Sequence, residues 1–136
     1  MQEHADILFA NDAFYYAFQM KDLEAMDDLW ARGAPVACTH PGWPSLSGRD
    51  QVMQSWQAIL TNPESLAVTC RGARARRYGE VAFVTCYETV GENLLAATNV
   101  FLREDGAWKL VHHQAGPCHV APPELAEEEE EDSRLQ

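Results

Sequence analysis

A chain of 136 residues and 15.2 kDa, 46% hydrophobic and 23% charged, is sized for one globular domain with its own core, which excludes collagen-like, coiled-coil and wholly disordered classes. No apolar run approaches the roughly 18 residues of a membrane-spanning helix, and Met1-Gln2-Glu3-His4 lacks the basic start of a secretion signal, so a cytoplasmic protein without a membrane partner is expected. The net charge of −11 argues against a nucleic-acid partner, and more than half of it lies in the tail 122–136, where Glu124, Glu127 to Glu131 and Asp132 face only Arg134.

The first element is a helix over 3–19, with Ile7, Ala10, Phe14, Ala17 and Phe18 at helical spacing and Leu8 and Tyr15 widening the apolar face. Asp22 can cap a second, short helix in which Leu23, Met26, Leu29 and Trp30 share a face, and Gly33 is placed to stop it. Residues 36–40 read as a short strand, broken by Pro41-Gly42-Trp43-Pro44, whose prolines cannot join a ladder. Ser47-Gly48-Arg49-Asp50 has the form of a capping box and opens a third helix with Val52, Met53, Trp56, Ile59 and Leu60 inward. Asn62-Pro63 ends it, because the residue before proline is pushed out of the helical region.

Four strand-like runs follow at 66–78, 81–90, 94–103 and 108–115, separated by Gly79, Gly91-Glu92-Asn93 and the hairpin pair Asp105-Gly106. Links this short make the neighbours antiparallel. The fold class is therefore α+β, three N-terminal helices on a curved antiparallel sheet, occupying 1–121 and followed by an acidic tail over 122–136, expected to be disordered. Strict alternation would set Trp108, Leu110, His112 and Gln114 on one face of the last strand and Lys109, Val111, His113 and Ala115 on the other. Both faces of the sheet are substantially apolar, so the helices can cover only one. A second copy of the chain is the simplest cover for the other, which predicts a homodimer through the sheet.

The pattern resembles the nuclear transport factor two-like superfamily, specifically its SnoaL-like branch with a cystatin-like fold. The phrases that carry the likeness are Phe14-Tyr15-Tyr16-Ala17, Cys38-Thr39-His40-Pro41-Gly42-Trp43, Gly48-Arg49-Asp50, Thr98-Asn99-Val100-Phe101 and Trp108 leading to His112-His113, over about 5–117. The resemblance implies a sheet wrapped around the first helix to form a conical cavity, in a dimer. Members use that cavity for isomerase, dehydratase, hydrolase and cyclase chemistry or for assembly, so the fold does not give the function. The cyclases carry an acid on the closing strand, where this chain has Leu110-Val111-His112-His113-Gln114.

The candidate catalytic residues are His40, Glu88 and His113. His40 stands at a strand end and can act as a base or an acid, or serve the turn structurally. His112 and His113 point to opposite faces, and His113 is preferred for the cavity because its face partners are smaller. Glu88 is an acid inside a strand run, suited to a raised-pKa acid or to orienting an imidazole, with an ion pair to Arg74 or Arg76 as the alternative. Phe14, Tyr15, Trp43, Trp56 and Asn99 are the candidate ligand-binding residues, although an aromatic stripe is more often core than pocket wall. Arg71, Arg74, Arg76 and Arg77 read as a solvated strand surface or an anion contact. Cys38-Thr39-His40, His112-His113 and Cys118-His119 lack zinc spacing, so no metal and no other cofactor is expected, and the four cysteines are expected to be reduced. The expected function is binding a small apolar or mixed ligand, with proton-transfer chemistry of the isomerase, dehydratase or hydrolase type. The alternative is a non-catalytic dimerisation or adaptor module.

Overall fold

The computed structural model describes residues 4–126. Three helices, α1 (Ala5–Gln19), α2 (Leu23–Leu29) and α3 (Arg49–Thr61), cover one face of a six-stranded sheet. Its strands are β1 (Ala37–Thr39), β2 (Leu46–Ser47), β3 (Val68–Tyr78), β4 (Val81–Val90), β5 (Asn93–Glu104) and β6 (Ala107–Pro117). Strand order is β2-β1-β6-β5-β4-β3, and α1 packs against β3, β4 and β6 in the hollow of the sheet.

The four long strands form the expected antiparallel meander, but the sheet as a whole is mixed. β1 adds in parallel to β6, with Cys38 opposite His113, and the short β2 pairs back onto β1. Neither pairing is visible in local alternation, because strands of three and two residues carry too little pattern.

Helix ends show where local chemistry decides and where packing overrides it. Lys21, in the left-handed conformation, closes α1: its N–H donates to Phe18 O and that of Asp22 to Ala17 O. The Asp22 carboxylate then accepts from Ala25 N–H and opens α2, as the sequence predicts. Gly33 does not end that helix. Trp30 leaves it four residues after Met26, drawn into an extended conformation where it bridges Leu110 of β6 and buries its indole completely. Gly33 instead gives its N–H to Glu104 Oε1 at 2.7 Å, beside Arg32 N–H on Oε2.

The capping box at Ser47 does not form either. Ser47 belongs to β2, Gly48 is the cap residue, and Gln51 reaches back to accept Ser47 N–H at 3.2 Å. Gly48 has φ 88° and ψ 151°, a region reserved for glycine, and a Cβ there would meet nothing within 4 Å. Gly48→Ala should therefore cost about 1–2 kcal/mol through backbone conformation alone, read as a lower urea midpoint with an unchanged slope. Arg49, beyond opening α3, ties the end of α2 to its start: its guanidinium donates to the carbonyls of Asp27, Trp30 and Ala31 and to the Asp27 carboxylate at 2.7 Å. As the sequence predicts, α3 stops before Pro63, with Asn62 extended.

Strict alternation along β6 fails at one place. The register runs Val100 with His112 and then Phe101 with Leu110, so Val111 is an extra residue in a bulge. The bulge exchanges the faces. Trp108 and Leu110 before it and His113 and Ala115 after it all turn toward the helices, while His112 and Gln114 turn away. A second irregularity lies in β3 between Arg71 and Arg74. The turn over 123–126, assigned from sequence to a disordered tail, is helical and buries Leu125. The rest of that tail, 127–136, lies outside the described residues.

Candidate functional site

Four positions on or just beyond strands, far apart in the sequence, converge under α1. The parallel docking of β1 on β6 sets His40, one residue beyond β1, beside His113, with ring centroids 6.2 Å apart. The β4–β5–β6 register places Glu88, Asn99 and His113 on the helix-facing side, and all of them are essentially sealed from solvent.

The hydrogen bonds assign the protons. Asn99 Nδ2 donates to Asn11 Oδ1 at 2.9 Å and to the Tyr15 hydroxyl at 3.1 Å, which leaves Asn99 Oδ1 as an acceptor. His113 Nδ1 lies 2.6 Å from that oxygen and must be the donor, so a neutral His113 has its lone pair on Nε2. The Tyr15 hydroxyl in turn donates to Glu88 Oε2 at 2.7 Å. His113 Nε2 is 3.8 Å from the same carboxyl oxygen, too far for a hydrogen bond. Burial holds His113 down at about 3, with the nearby His40 and His112 adding to the effect, so the ring is uncharged and this is no ion pair.

His40 follows the same logic. The Ser55 hydroxyl donates to Val52 O at 2.6 Å, so at 2.8 Å from His40 Nε2 it can only accept. The His40 proton is therefore on Nε2, and Nδ1 is the basic nitrogen. Burial lowers His40 to about 4. Glu88 is shifted the other way: burial raises its carboxyl above the usual range, and the Tyr15 hydrogen bond opposes this only in part. Tyr15 itself is held well above 10, mainly by burial and then by the facing Glu88.

Of these groups only His40 and Glu88 reach the wall of a cavity of about 700 Å³, and His113, the histidine preferred for the cavity from sequence, turns toward the helices but stays behind that wall. His40 and Glu88 line it, with Phe18, Trp43 and Ile59 as apolar wall and Leu95 among the β5 contributions. Its mouth lies between the β4–β5 turn and the end of β6 at Pro117 and Cys118. Among the described residues no lysine or arginine lines it.

The other candidates stand behind this wall. Phe14 and Trp56 pack edge-on with centroids 5.5 Å apart, and Trp56 meets His40 at 4.8 Å, supporting the imidazole from outside the cavity. Tyr15 and Asn99 belong to the network beneath Glu88 rather than to the cavity surface. Asn11 and Ser55, both buried, were not anticipated. Their signal was there: Asn11 interrupts the stripe Ile7, Phe14, Phe18 at helical spacing, and Ser55 sits between Val52 and Trp56 on the inward face of α3.

All four cysteines are free. Among the described residues no three His, Cys, Asp or Glu side chains gather as metal ligands would, and no helix is long and apolar enough to cross a membrane.

Comparison with known proteins gives a consistent picture. A family model described as a SnoaL-like domain matches residues 7–118. A crystal structure of a provisionally assigned dehydratase of the NTF2-like family from Streptomyces avermitilis is 35% identical, with a TM-score of 0.77 over 85% of this chain and 95% of that one. A provisionally assigned calcium/calmodulin-dependent protein kinase type II association domain from Thiobacillus denitrificans is 32% identical, with a TM-score of 0.67 over 81% of this chain and 93% of that one. Structures with a cystatin-like fold from Caulobacter vibrioides and Nostoc punctiforme, at 15% and 18% identity, share the fold. The F-box protein SKIP8 of Arabidopsis thaliana is 31% identical over 111 residues, 80% of this chain. The chain spans about half the length of that curated relative, 48%.

Proposed function

The chain belongs to the SnoaL-like domain family, and on that premise we propose that its cone binds a small, uncharged, largely apolar molecule and moves protons on it between His40 and Glu88. One observation carries the reading: His40 and Glu88, the two deeply buried titratable groups of the cavity wall, are pushed by burial in opposite directions, each toward its uncharged form. His40 is then a base whose Nδ1 lone pair meets only the weakly donating Cys38 thiol, at 3.9 Å. Burial raises the Glu88 carboxyl, which favours holding a proton, and Oε1 is the oxygen open to it, since Oε2 accepts from Tyr15.

A carboxyl acid and an imidazole base on one cavity wall suit elimination of water from a hydroxylated substrate. His40 Nδ1 takes a proton from carbon as the carbon–oxygen bond breaks, and Glu88 passes its proton to the departing hydroxyl to give water. Solvent returns the proton from His40 to Glu88. The likeness to the Streptomyces protein favours this class over hydrolysis. Anionic substrates are disfavoured, because among the described residues the wall offers the Glu92 carboxylate and no lysine or arginine to meet them.

Native mass spectrometry of freshly purified protein, repeated after denaturation, tests the pocket. A small mass lost on denaturation identifies the ligand, whose turnover should fall at least about 100-fold in Glu88→Gln and in His40→Ala. Unchanged turnover in both variants would overturn the mechanism.

Tyr15→Phe probes the electrostatics without a substrate. Its hydroxyl lowers the Glu88 pKa, so removing it should move the Glu88 carboxyl titration to higher pH, seen as a shifted midpoint of its ¹³C resonance. An unmoved or lowered midpoint would contradict the assigned donor.

A second reading, assembly through the sheet, is favoured by the outer face, where Phe83, Val100, Leu102 and Val111 remain half-exposed, and by the likeness to an association domain. It predicts a dimer mass by light scattering at micromolar concentration, and a monomer there would remove it.

A further inference from the structure

Behind the cavity wall two thiols meet on the helix-facing side of the sheet. Cys70 of β3 pairs with Glu88 of β4, so Cys86, two residues back along β4, lies one diagonal step away on the same side. α1 covers both: Asn11 Nδ2 donates to Cys70 Sγ at 3.7 Å, and the Tyr15 oxygen lies 3.3 Å from Cys86 Sγ. The two thiols are hydrogen-bonded to each other. Tyr15 gives its proton to Glu88 Oε2, so between Tyr15 and Cys86 the thiol donates, and the Cys70 S–H is left to donate to Cys86 Sγ. One hydrogen-bonded chain therefore runs from Cys70 through Cys86 and Tyr15 to Glu88, from the half-buried edge strand to the cavity wall. The Cys70 hydrogen bond lowers the Cys86 thiol, whereas the same bond together with burial holds Cys70 far above the ordinary range. The other thiols are placed differently: Cys38 lies against the His40 ring, and Cys118 donates to Val120 O at 3.2 Å.

We infer that Cys70 and Cys86 form a redox-sensitive pair, which a small hydroperoxide closes into a disulfide and a dithiol reopens, and whose closing alters the Tyr15–Glu88 hydrogen bond. The Cys86 thiolate attacks one peroxide oxygen and the O–O bond breaks. The departing hydroxide takes up the proton that Cys86 released and becomes water, leaving Cys86 as a sulfenic acid. The Cys70 sulfur then attacks the Cys86 sulfur, and hydroxide leaves with the Cys70 proton as a second water. Two thiols are oxidised and one peroxide is reduced. β3 can supply the local movement that disulfide geometry requires, because it is an edge strand bonded to one neighbour only. Its ladder is also interrupted opposite Cys86, where Gly72 has φ 65°. Closing the bond removes the S–H that the Tyr15 oxygen accepts, which weakens that hydroxyl as a donor to Glu88. The pair acts through the position of Glu88 and needs none of the proposed proton transfers.

Peptide mapping of the full-length protein tests it. The folded protein is treated with hydrogen peroxide, its remaining thiols are blocked with N-ethylmaleimide, and it is digested with trypsin. Cleavage after lysine and arginine puts each of the four cysteines in its own peptide, Cys70 in 50–71 and Cys86 in 78–103. The expected product is a monomer lighter by two hydrogens, with 50–71 linked to 78–103, that dithiothreitol returns to its original mass. The carboxyl ¹³C resonance of Glu88, followed in the same samples at constant pH, should move on oxidation and return on reduction. Thiols at 70 and 86 that stay reduced, a sulfinic acid on either without the link, or a link that involves Cys38 or Cys118 would overturn the pair. So would a link formed only between two chains. A linked protein whose Glu88 resonance stays in place would overturn the coupling to the cavity wall.

Discussion

Between about pH 7.5 and about pH 5 the buried His40 and His113 together are expected to withdraw about 4 kcal/mol of stability from the folded protein, and the net loss is smaller by the opposing contribution of Glu88. In the unfolded chain both imidazoles take up a proton as the pH falls through 6.5, while in the folded chain burial keeps them neutral down to about 4 and about 3. The unfolded state therefore binds more protons throughout this window. The stabilisation is complete above pH 6.5 and is lost progressively as the pH falls toward the folded values. Glu88 acts in the opposite sense. Its raised carboxyl favours the folded state at low pH and loses that contribution as the pH rises, so it offsets part of the histidine effect. Urea midpoints at the two pH values measure the net change, and proton NMR of the ring Hε1 atoms measures its source. Imidazoles that titrate near 6.5 in the folded protein would show that neither ring is held as described.

Trp56→Ala is expected to lower stability by about 3–5 kcal/mol, the range for removing a fully buried large aromatic side chain. Trp56 is completely buried and lies against Phe14, Phe18, His40 and His113, with centroid distances between 4.8 and 5.9 Å. Removing it opens a void at the junction of α1, α3 and the wall that carries His40. Trp56→Phe should cost far less, within about 1.5 kcal/mol, because the indole Nε1 is buried without a hydrogen-bond partner and phenylalanine removes that unsatisfied donor along with some volume. Denaturant unfolding of the two variants separates packing from polarity. Similar losses in both would mean that the indole nitrogen has a partner in solution.

The elements were legible in the sequence because each rests on local periodicity and turn chemistry. The stripe through Ile7, Phe14 and Phe18 marks α1, Asp22 caps α2, Asn62-Pro63 ends α3, and Asp105-Gly106 turns β5 into β6. Local signals misled where a distant partner won. Gly33 looks like a helix stop, yet the pull of Trp30 into the core ends α2 earlier. Ser47 looks like a cap, yet it is taken by the pairing with Ala37.

The candidate site was legible as residue types and hidden as an arrangement. His40, Glu88, His113, Tyr15 and Asn99 could each be singled out as polar residues among apolar neighbours, which is a property of sequence. Their meeting could not, because it depends on long-range pairing: β1 docks in parallel on β6, and a single extra residue at Val111 turns His113 inward together with Leu110. The sequence by itself determined the α+β class, the number and order of the main elements and the apolar faces that build the core, since these follow from local propensity and the period of hydrophobic residues. Tertiary structure alone decided which side chains share a cavity, which nitrogen of each histidine carries the proton, and that burial drives His40 and Glu88 toward their uncharged forms, since desolvation and hydrogen-bond partners are set only when distant strands close around them.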